Sequence, residues 1–214
     1  MAEKVILVHG YNKDQSDMLS LKNNLEKEGY QGFLVDLPLR FEEIRDATEV
    51  FATEVKKIID SLEEGERINF VGHSTGGLVI RHYLAKSKLN FNLGRVVLIA
   101  TPNQGSDLAE IASTIKPFTD VFKTLDSLQS KKVKELNLSS AKEVEIGAIA
   151  GNKNNLLLGQ LLEGANDGRV RVDSVKYNGL SDFVVLPYDH KEIHHKSKTA
   201  KLVDYFLRIG EFQE

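Results

Sequence analysis

The chain contains no cysteine. That excludes disulfides, thiolate zinc sites and cysteine nucleophiles together. Positive charge is not in surplus either: 28 lysines and arginines stand against 31 aspartates and glutamates, a formal net charge of −3. With no basic excess to hold a phosphate backbone, nucleic acid is not the expected partner. Long apolar runs are also missing, and Met1-Ala2-Glu3-Lys4 leads straight into a short apolar strand. Neither a bilayer-spanning helix nor a secretory leader is therefore expected, which points to a soluble, cytoplasmic chain. No internal repeat, low-complexity tract or Pro/Ser-rich linker divides the 214 residues, so the expectation is one domain spanning residues 1–214.

Short apolar runs recur at strand length. They are Val5–Val8, Phe33–Val35, Ile68–Val71, Val96–Ala100, Val144–Ile149 and Phe183–Leu186. Because the runs are continuous instead of alternating, they predict strands covered on both faces, as in a parallel sheet. Between them lie stretches of helical period. Ile44, Ala47, Phe51, Val55, Ile58 and Leu62 share one helical stripe, Leu78 to Leu84 make a second helix, and Leu202, Val203, Phe206 and Leu207 a last one. Strand-helix alternation predicts an α/β fold with a mainly parallel sheet of about six strands and helices on both faces. One connection is too long for an ordinary loop. Over residues 103–139, Leu108, Ile111, Ala112 and Ile115 are helically spaced up to Pro117, and Phe118, Val121, Phe122, Leu125 and Leu128 continue the pattern. A small helical insertion is expected there. Leu156-Leu157-Leu158 with Leu161-Leu162 form a second apolar cluster in another connection.

Gly72-His73-Ser74-Thr75-Gly76-Gly77 closes one predicted strand and opens one predicted helix. A serine between glycines two before and two after it, at a strand-to-helix turn, is the arrangement of a nucleophile elbow. The small residues let neighbouring chains press against a strained turn while the hydroxyl projects from the carboxyl edge of the sheet. A Gly-rich turn with a bystander serine is the plainer explanation, but both flanking elements favour the elbow. A phosphate-cradling loop lacks its Lys-Ser/Thr ending and its G-x-G-x-x-G spacing.

From these residues the chain resembles the α/β-hydrolase superfamily, particularly small bacterial lipases and esterases. His9-Gly10-Tyr11 is similar to that family's oxyanion loop, and Thr101-Pro102-Asn103-Gln104-Gly105-Ser106 to the segment after the strand that follows the elbow. Asn166-Asp167-Gly168-Arg169-Val170, with Ser174 beyond, resembles the stretch carrying the catalytic acid, and Asp189-His190 before a final helix resembles the position of the base. The resemblance implies Ser74 as nucleophile, His190 as base and Asp167 as orienting acid, in the chain order of that fold. It implies the backbone N–H groups of Tyr11 and Thr75 as oxyanion donors, with His9, Gly10, Gly72, His73 and Gly76 in support. The chemistry suits those roles. Serine needs a base within hydrogen-bond reach, histidine titrates near working pH, and a buried carboxylate fixes its tautomer.

Each assignment has a rival. Asp167-Gly168 is also an ideal turn dipeptide, and Asp173 and Asp182 are competing acids. His194 and His195 compete with His190 and are otherwise expected to be exposed near the start of the last helix. Adjacent histidines do not share a helical face, so the doublet argues weakly for a metal, and no metal or organic cofactor is implied. Arg169 and Arg171 stand where apolar residues are more usual in the family, which suggests an exposed turn or an anionic ligand. The substrate expected is a small-molecule or lipid carboxylic ester. An acyltransferase or amidase on the same residues, a non-catalytic binding module and an interaction scaffold are the other readings. The insertion would serve as a lid or acyl-pocket wall, or only as cover for the core.

Overall fold

The apolar runs pair into one sheet in the computed structural model, which describes residues 3–63, 65–88, 91–114, 121–138 and 144–213. Its strands are β1 (Lys4–Val8), β2 (Gln31–Val35), β3 (Ile68–His73), β4 (Leu93–Ile99), β5 (Ile146–Gly151) and β6 (Asp182–Leu186). Their order is β2-β1-β3-β4-β5-β6, and every pairing is parallel. This is the α/β-hydrolase fold in a short form.

The continuity of the apolar runs has a direct cause. Alternate residues of each strand face opposite sides of the sheet. Ile6, Val8, Phe70, Val96 and Leu98 pack with Phe51 and Val55 of helix α2 (Ile44–Ile59) and with Leu78 and Val79 of α3 (Thr75–Lys86). Val5, Leu7, Val71, Val97 and Ile99 pack on the other side with Leu21 and Leu25 of α1 (Leu19–Lys27) and with Val203 and Phe206 of the C-terminal helix Ser197–Ile209. Both faces are dry, so both sets of alternating positions are chiefly apolar, and buried Asn69 of β3 is matched by Glu3 and the Arg95 N–H. The expected stripe of α2 is buried from Ile44 to Val55, while Ile58 is only partly covered and Leu62 lies beyond the helix end. The C-terminal helix stops at Gly210, whose φ of 84° is the left-handed conformation that ends helices cheaply in glycine.

The long connection holds three short helices among its described residues: α4 (Asp107–Ser113), α5 (Lys123–Asp126) and α6 (Ser130–Glu135). Ile115, Pro117, Phe118 and position 139 of the expected insertion lie outside the described residues. Among the described residues, no helix is long and apolar enough to cross a membrane.

Strand order dictates where a site can form. From β1 the chain goes to β2 on one side and then to β3 on the other, so the crossovers diverge between β1 and β3. A crevice opens at the carboxyl ends of two strands where connections part in this way. Val8 pairs with Gly72 in register, so the residues that follow, His9-Gly10-Tyr11 and His73-Ser74, leave the sheet side by side.

Candidate active site

Ser74 joins β3 to α3 with φ 52° and ψ −125°, a backbone conformation that L side chains seldom adopt. Such strain costs on the order of 1–3 kcal/mol and persists only where the surroundings impose it. Here the Ser74 N–H donates to the Ile99 carbonyl at 2.8 Å, and the Gly77 N–H donates to the Ser74 carbonyl at 3.0 Å. Side chains are excluded around the turn. A Cβ on Gly76 would stand 2.3 Å from the His9 carbonyl oxygen, and one on Gly10 would stand 2.9 Å from Ser74 Cβ. Gly72 packs directly on the Gly77 backbone. These contacts give the glycine spacing of the motif its physical reason.

Asp167 and His190 reach Ser74 from the far half of the sequence. His190 Nδ1 donates to Asp167 Oδ2 at 2.7 Å, and with the proton on that nitrogen His190 Nε2 accepts from Ser74 Oγ at 3.0 Å. All three residues are buried, Asp167 completely. Its second oxygen accepts from the N–H groups of Arg169 and Val170, at 3.0 and 2.7 Å, so the carboxylate is fixed by the turn that carries it. Gly168, at φ 91°, makes that turn. The turn dipeptide and the partner of His190 are thus the same residues. The His190 N–H donates to the Asp167 carbonyl at 2.9 Å, which ties the two loops together. Asp173 and Asp182 stand elsewhere. Asp173 is exposed, and Asp182 accepts from the Phe183 and Phe212 N–H groups at the start of β6.

The other histidines differ from expectation in one respect. His195 is exposed, but His194 is buried with 1% of its surface accessible and stacks on His73, ring centroids 3.8 Å apart. The cause is Asp17, whose Oδ2 accepts from His194 Nε2 at 3.0 Å and whose Oδ1 is 3.0 Å from Lys13 Nζ. Nothing local marks Asp17 in the sequence, since its partner lies 177 positions away. Burial alone would raise the Asp17 carboxyl, but the bond from His194 and the Lys13 charge hold it well below the usual carboxylate range. Burial lowers His194 in spite of Asp17, so its imidazole is neutral and donates to a carboxylate. Burial, aided by the neighbouring imidazoles, pulls His73 well below its ordinary value, and its Nε2 donates to the His190 carbonyl at 3.2 Å. Asp17, His194 and His195 bring potential ligand atoms within 4.8 Å of one another, though Lys13 already supplies that carboxylate with a cation.

Among the described residues, neither the N–H of Tyr11 nor that of Thr75 has a hydrogen-bond acceptor. Thr75 opens α3, where the first N–H groups have no helical partner. His9 is buried behind the loop. Its Nδ1 donates to the Gly10 carbonyl at 2.9 Å, and its Nε2 accepts from the Leu37 N–H at 3.0 Å. The Thr101–Ser106 segment is pinned by Asn103, which accepts from buried Arg81 at 2.9 Å and donates to the Val175 carbonyl at 2.7 Å. Ser174 closes the arrangement by donating to the Gly105 carbonyl. Arg81 stacks on Tyr177, a role that the sequence does not signal, since one basic residue inside a helical pattern is ordinary there.

A cavity of about 350 Å³ opens from Ser74 and His190. Its walls are Leu108, Ile111 and Ala112 of α4, Leu125 of α5, Leu128 beside it, and Leu161 from the second apolar cluster. A narrower recess, lined by Gly10, Lys13, Asp17 and Lys191, meets the same two residues, and Tyr11 and Arg169 border both spaces. Burial raises the Tyr11 hydroxyl above its ordinary value, although Arg40 and Arg169 nearby oppose the shift.

Comparison with known proteins places this geometry in context. The family described as "Putative serine esterase (DUF676)" matches residues 2–119, more than half of the chain. Triacylglycerol lipase 2 of Saccharomyces cerevisiae is 33% identical over 82 residues, a match spanning 37% of this chain and 23% of that protein. The chain therefore covers under a quarter of the curated relative's length. Among solved structures, the mature lipase BlEst2 of Bacillus licheniformis superposes with a TM-score of 0.81 at 20% identity, covering 98% of this chain and 92% of that one. The phospholipase PlaB of Legionella pneumophila gives 0.68 at 21% identity, over 89% of this chain and 53% of that one. At such identities the likeness is one of fold.

Proposed function

The chain belongs to the DUF676 family of serine esterases, and on that premise we propose that it hydrolyses carboxylic esters with Ser74, His190 and Asp167 through an acyl-enzyme. The observation that carries the proposal is the unbroken chain from Ser74 Oγ to His190 at 3.0 Å and from His190 to Asp167 at 2.7 Å. In that chain Ser74 Oγ attacks the ester carbonyl as His190 Nε2 removes its proton. Asp167 keeps the imidazole in the right tautomer and stabilises the imidazolium that forms. Negative charge gathers on the carbonyl oxygen, where the N–H groups of Tyr11 and Thr75 receive it. One such donor is typically worth about 3–4 kcal/mol of barrier. His190 then returns the proton to the leaving alcohol, and a water activated by the same nitrogen releases the acid.

The acyl chain lies in the apolar cavity, the space lined by Leu108, Ile111, Leu125 and Leu161. In this proposal residues 1–214 form one α/β-hydrolase domain, and the insertion at 103–139 walls and caps its acyl pocket. The test compares a p-nitrophenyl ester, the matching anilide and a thioester at one chain length, in wild type and Ser74→Ala. The proposal expects ester turnover to dominate and to fall about 10⁶-fold in Ser74→Ala. Turnover that survives the substitution, or an anilide cleaved faster than the ester, contradicts it.

A further inference from the structure

We propose that the esters taken by this site carry a negative charge on the alcohol side, held at the mouth of the site by Arg169 with Lys191. The inference rests on the ester-hydrolase reading and adds the chemical class of the leaving group. The two spaces that meet at Ser74 and His190 differ in the side chains that line them. One is the apolar cavity between α4, α5 and Leu161, and the other is the narrow recess beside Tyr11, which Lys13, Asp17, Arg169 and Lys191 border. The first, about 350 Å³, is the roomier and takes the acyl chain in the proposed reaction, which leaves the alcohol facing the second. There the one acid, Asp17, is paired with Lys13, which leaves the positive charges of Arg169 and Lys191 in excess. That acid is already spoken for, with one oxygen on His194 and the other beside Lys13.

Arg169 is the centre of the argument. Its guanidinium has no ion-pair, hydrogen-bond or ring partner among the described residues, whereas its neighbour Arg171 pairs with Asp107 at 3.1 Å. It is also not free to wander at its base, because its backbone N–H is tied to Asp167 Oδ1 at 3.0 Å on the turn that orients His190. The chain as a whole carries a net charge of −3, so this concentration of positive charge is not a consequence of composition. An unpaired planar guanidinium presents a fork that fits carboxylate and phosphate alike, and Lys191, next to His190, adds a second positive charge. A positive field at the mouth also gathers anionic esters from solution and weakens as salt is added.

The test uses hexanoyl esters of glycerol, glycerol 3-phosphate, glycerate and choline, with kcat and KM measured on wild type, Ser74→Ala, Arg169→Gln, Arg169→Glu and Lys191→Gln. The expected result is a kcat/KM at least about tenfold higher for the anionic esters than for the glycerol ester, mainly through KM, shrinking in 0.5 M salt. The ratio of anionic to neutral ester falls toward one in Arg169→Gln and below one in Arg169→Glu. Lys191→Gln lowers it in part. Because each ratio is taken within one variant, a general loss of site geometry cancels. Preference for only the phosphate or only the carboxylate supports the proposal and assigns the anion. Ser74-dependent turnover without anionic preference, or a preference unchanged in both Arg169→Gln and Lys191→Gln, overturns this inference and leaves the hydrolase reading standing. A folded protein idle on all four esters overturns both.

Discussion

Asp167 accepts from three donors at once and divides them between its two oxygens. Oδ1 accepts from two backbone N–H groups of its own turn, while Oδ2 accepts from His190. In Asp167→Asn the amide keeps its oxygen on the backbone donors and turns its NH₂ toward His190 Nδ1. That imposes the tautomer with the proton on Nε2, where it cannot accept from Ser74. We expect kcat to fall by about 10³–10⁴ with little change in melting temperature, measured by ester turnover and calorimetry. A neutral effect on kcat would remove Asp167 from the mechanism. Gly10 is a comparable case of geometry acting through one atom. Its absent Cβ would lie 2.9 Å from Ser74 Cβ, so Gly10→Ala pushes the elbow and the loop bearing the Tyr11 N–H apart. A displacement approaching 1 Å at reacting groups costs about 100-fold, and the loss should appear in kcat more than in KM. Ser74, the glycines and the order of Ser74, Asp167 and His190 were legible in the sequence because the elbow is a local pattern and the order belongs to the fold. Asp17 and the burial of His194 were not. That bond joins residues 177 positions apart, and no periodicity or turn rule reports on it.

The elements divide the labour between rigidity and selectivity. The six strands and helices α2 and α3 were legible because a sheet buried on both faces forces continuous apolar runs and its covering helices force stripes. Helix α1 leaves only a faint stripe in the sequence, since only Leu21 and Leu25 of its nine residues are buried. The insertion was legible as helical by period, but its purpose depends on where the helices land. Leu108, Ile111 and Ala112 of α4 and Leu125 of α5 border the cavity beside Ser74. Ala112→Trp should fill that space. Each methylene denied burial is worth about 0.8 kcal/mol, so kcat/KM for a decanoyl ester should drop at least about tenfold while an acetyl ester changes little. Equal losses for both chain lengths would mean that α4 does not border the acyl group.

At the scale of the whole molecule, the histidine cluster behind the elbow links folding to pH. His73 and His194 are both held below their ordinary pKa of 6.5, mainly by burial. The unfolded chain therefore binds protons near and below pH 6.5 that the folded chain does not, and stability must decline as pH falls through that range. Asp17, held low, contributes stability that lasts down to the carboxylate range and is lost only below it. Each proton taken up on unfolding gives a slope of about 1.4 kcal/mol per pH unit. Calorimetry from pH 7.5 to 5.5 should show Tm falling by about 5 °C or more, with a smaller fall in His194→Asn. A flat profile would mean that these imidazoles are not neutral in the fold. The proposed activation of Ser74 by His190 has a direct readout. A fluorophosphonate adds one phosphonyl mass to an activated serine, and intact mass counts it. We predict stoichiometric labelling of wild type, none in Ser74→Ala and a steep loss of rate in His190→Ala. Folded wild type that remains unlabelled, or labelling that persists in Ser74→Ala, would contradict the account.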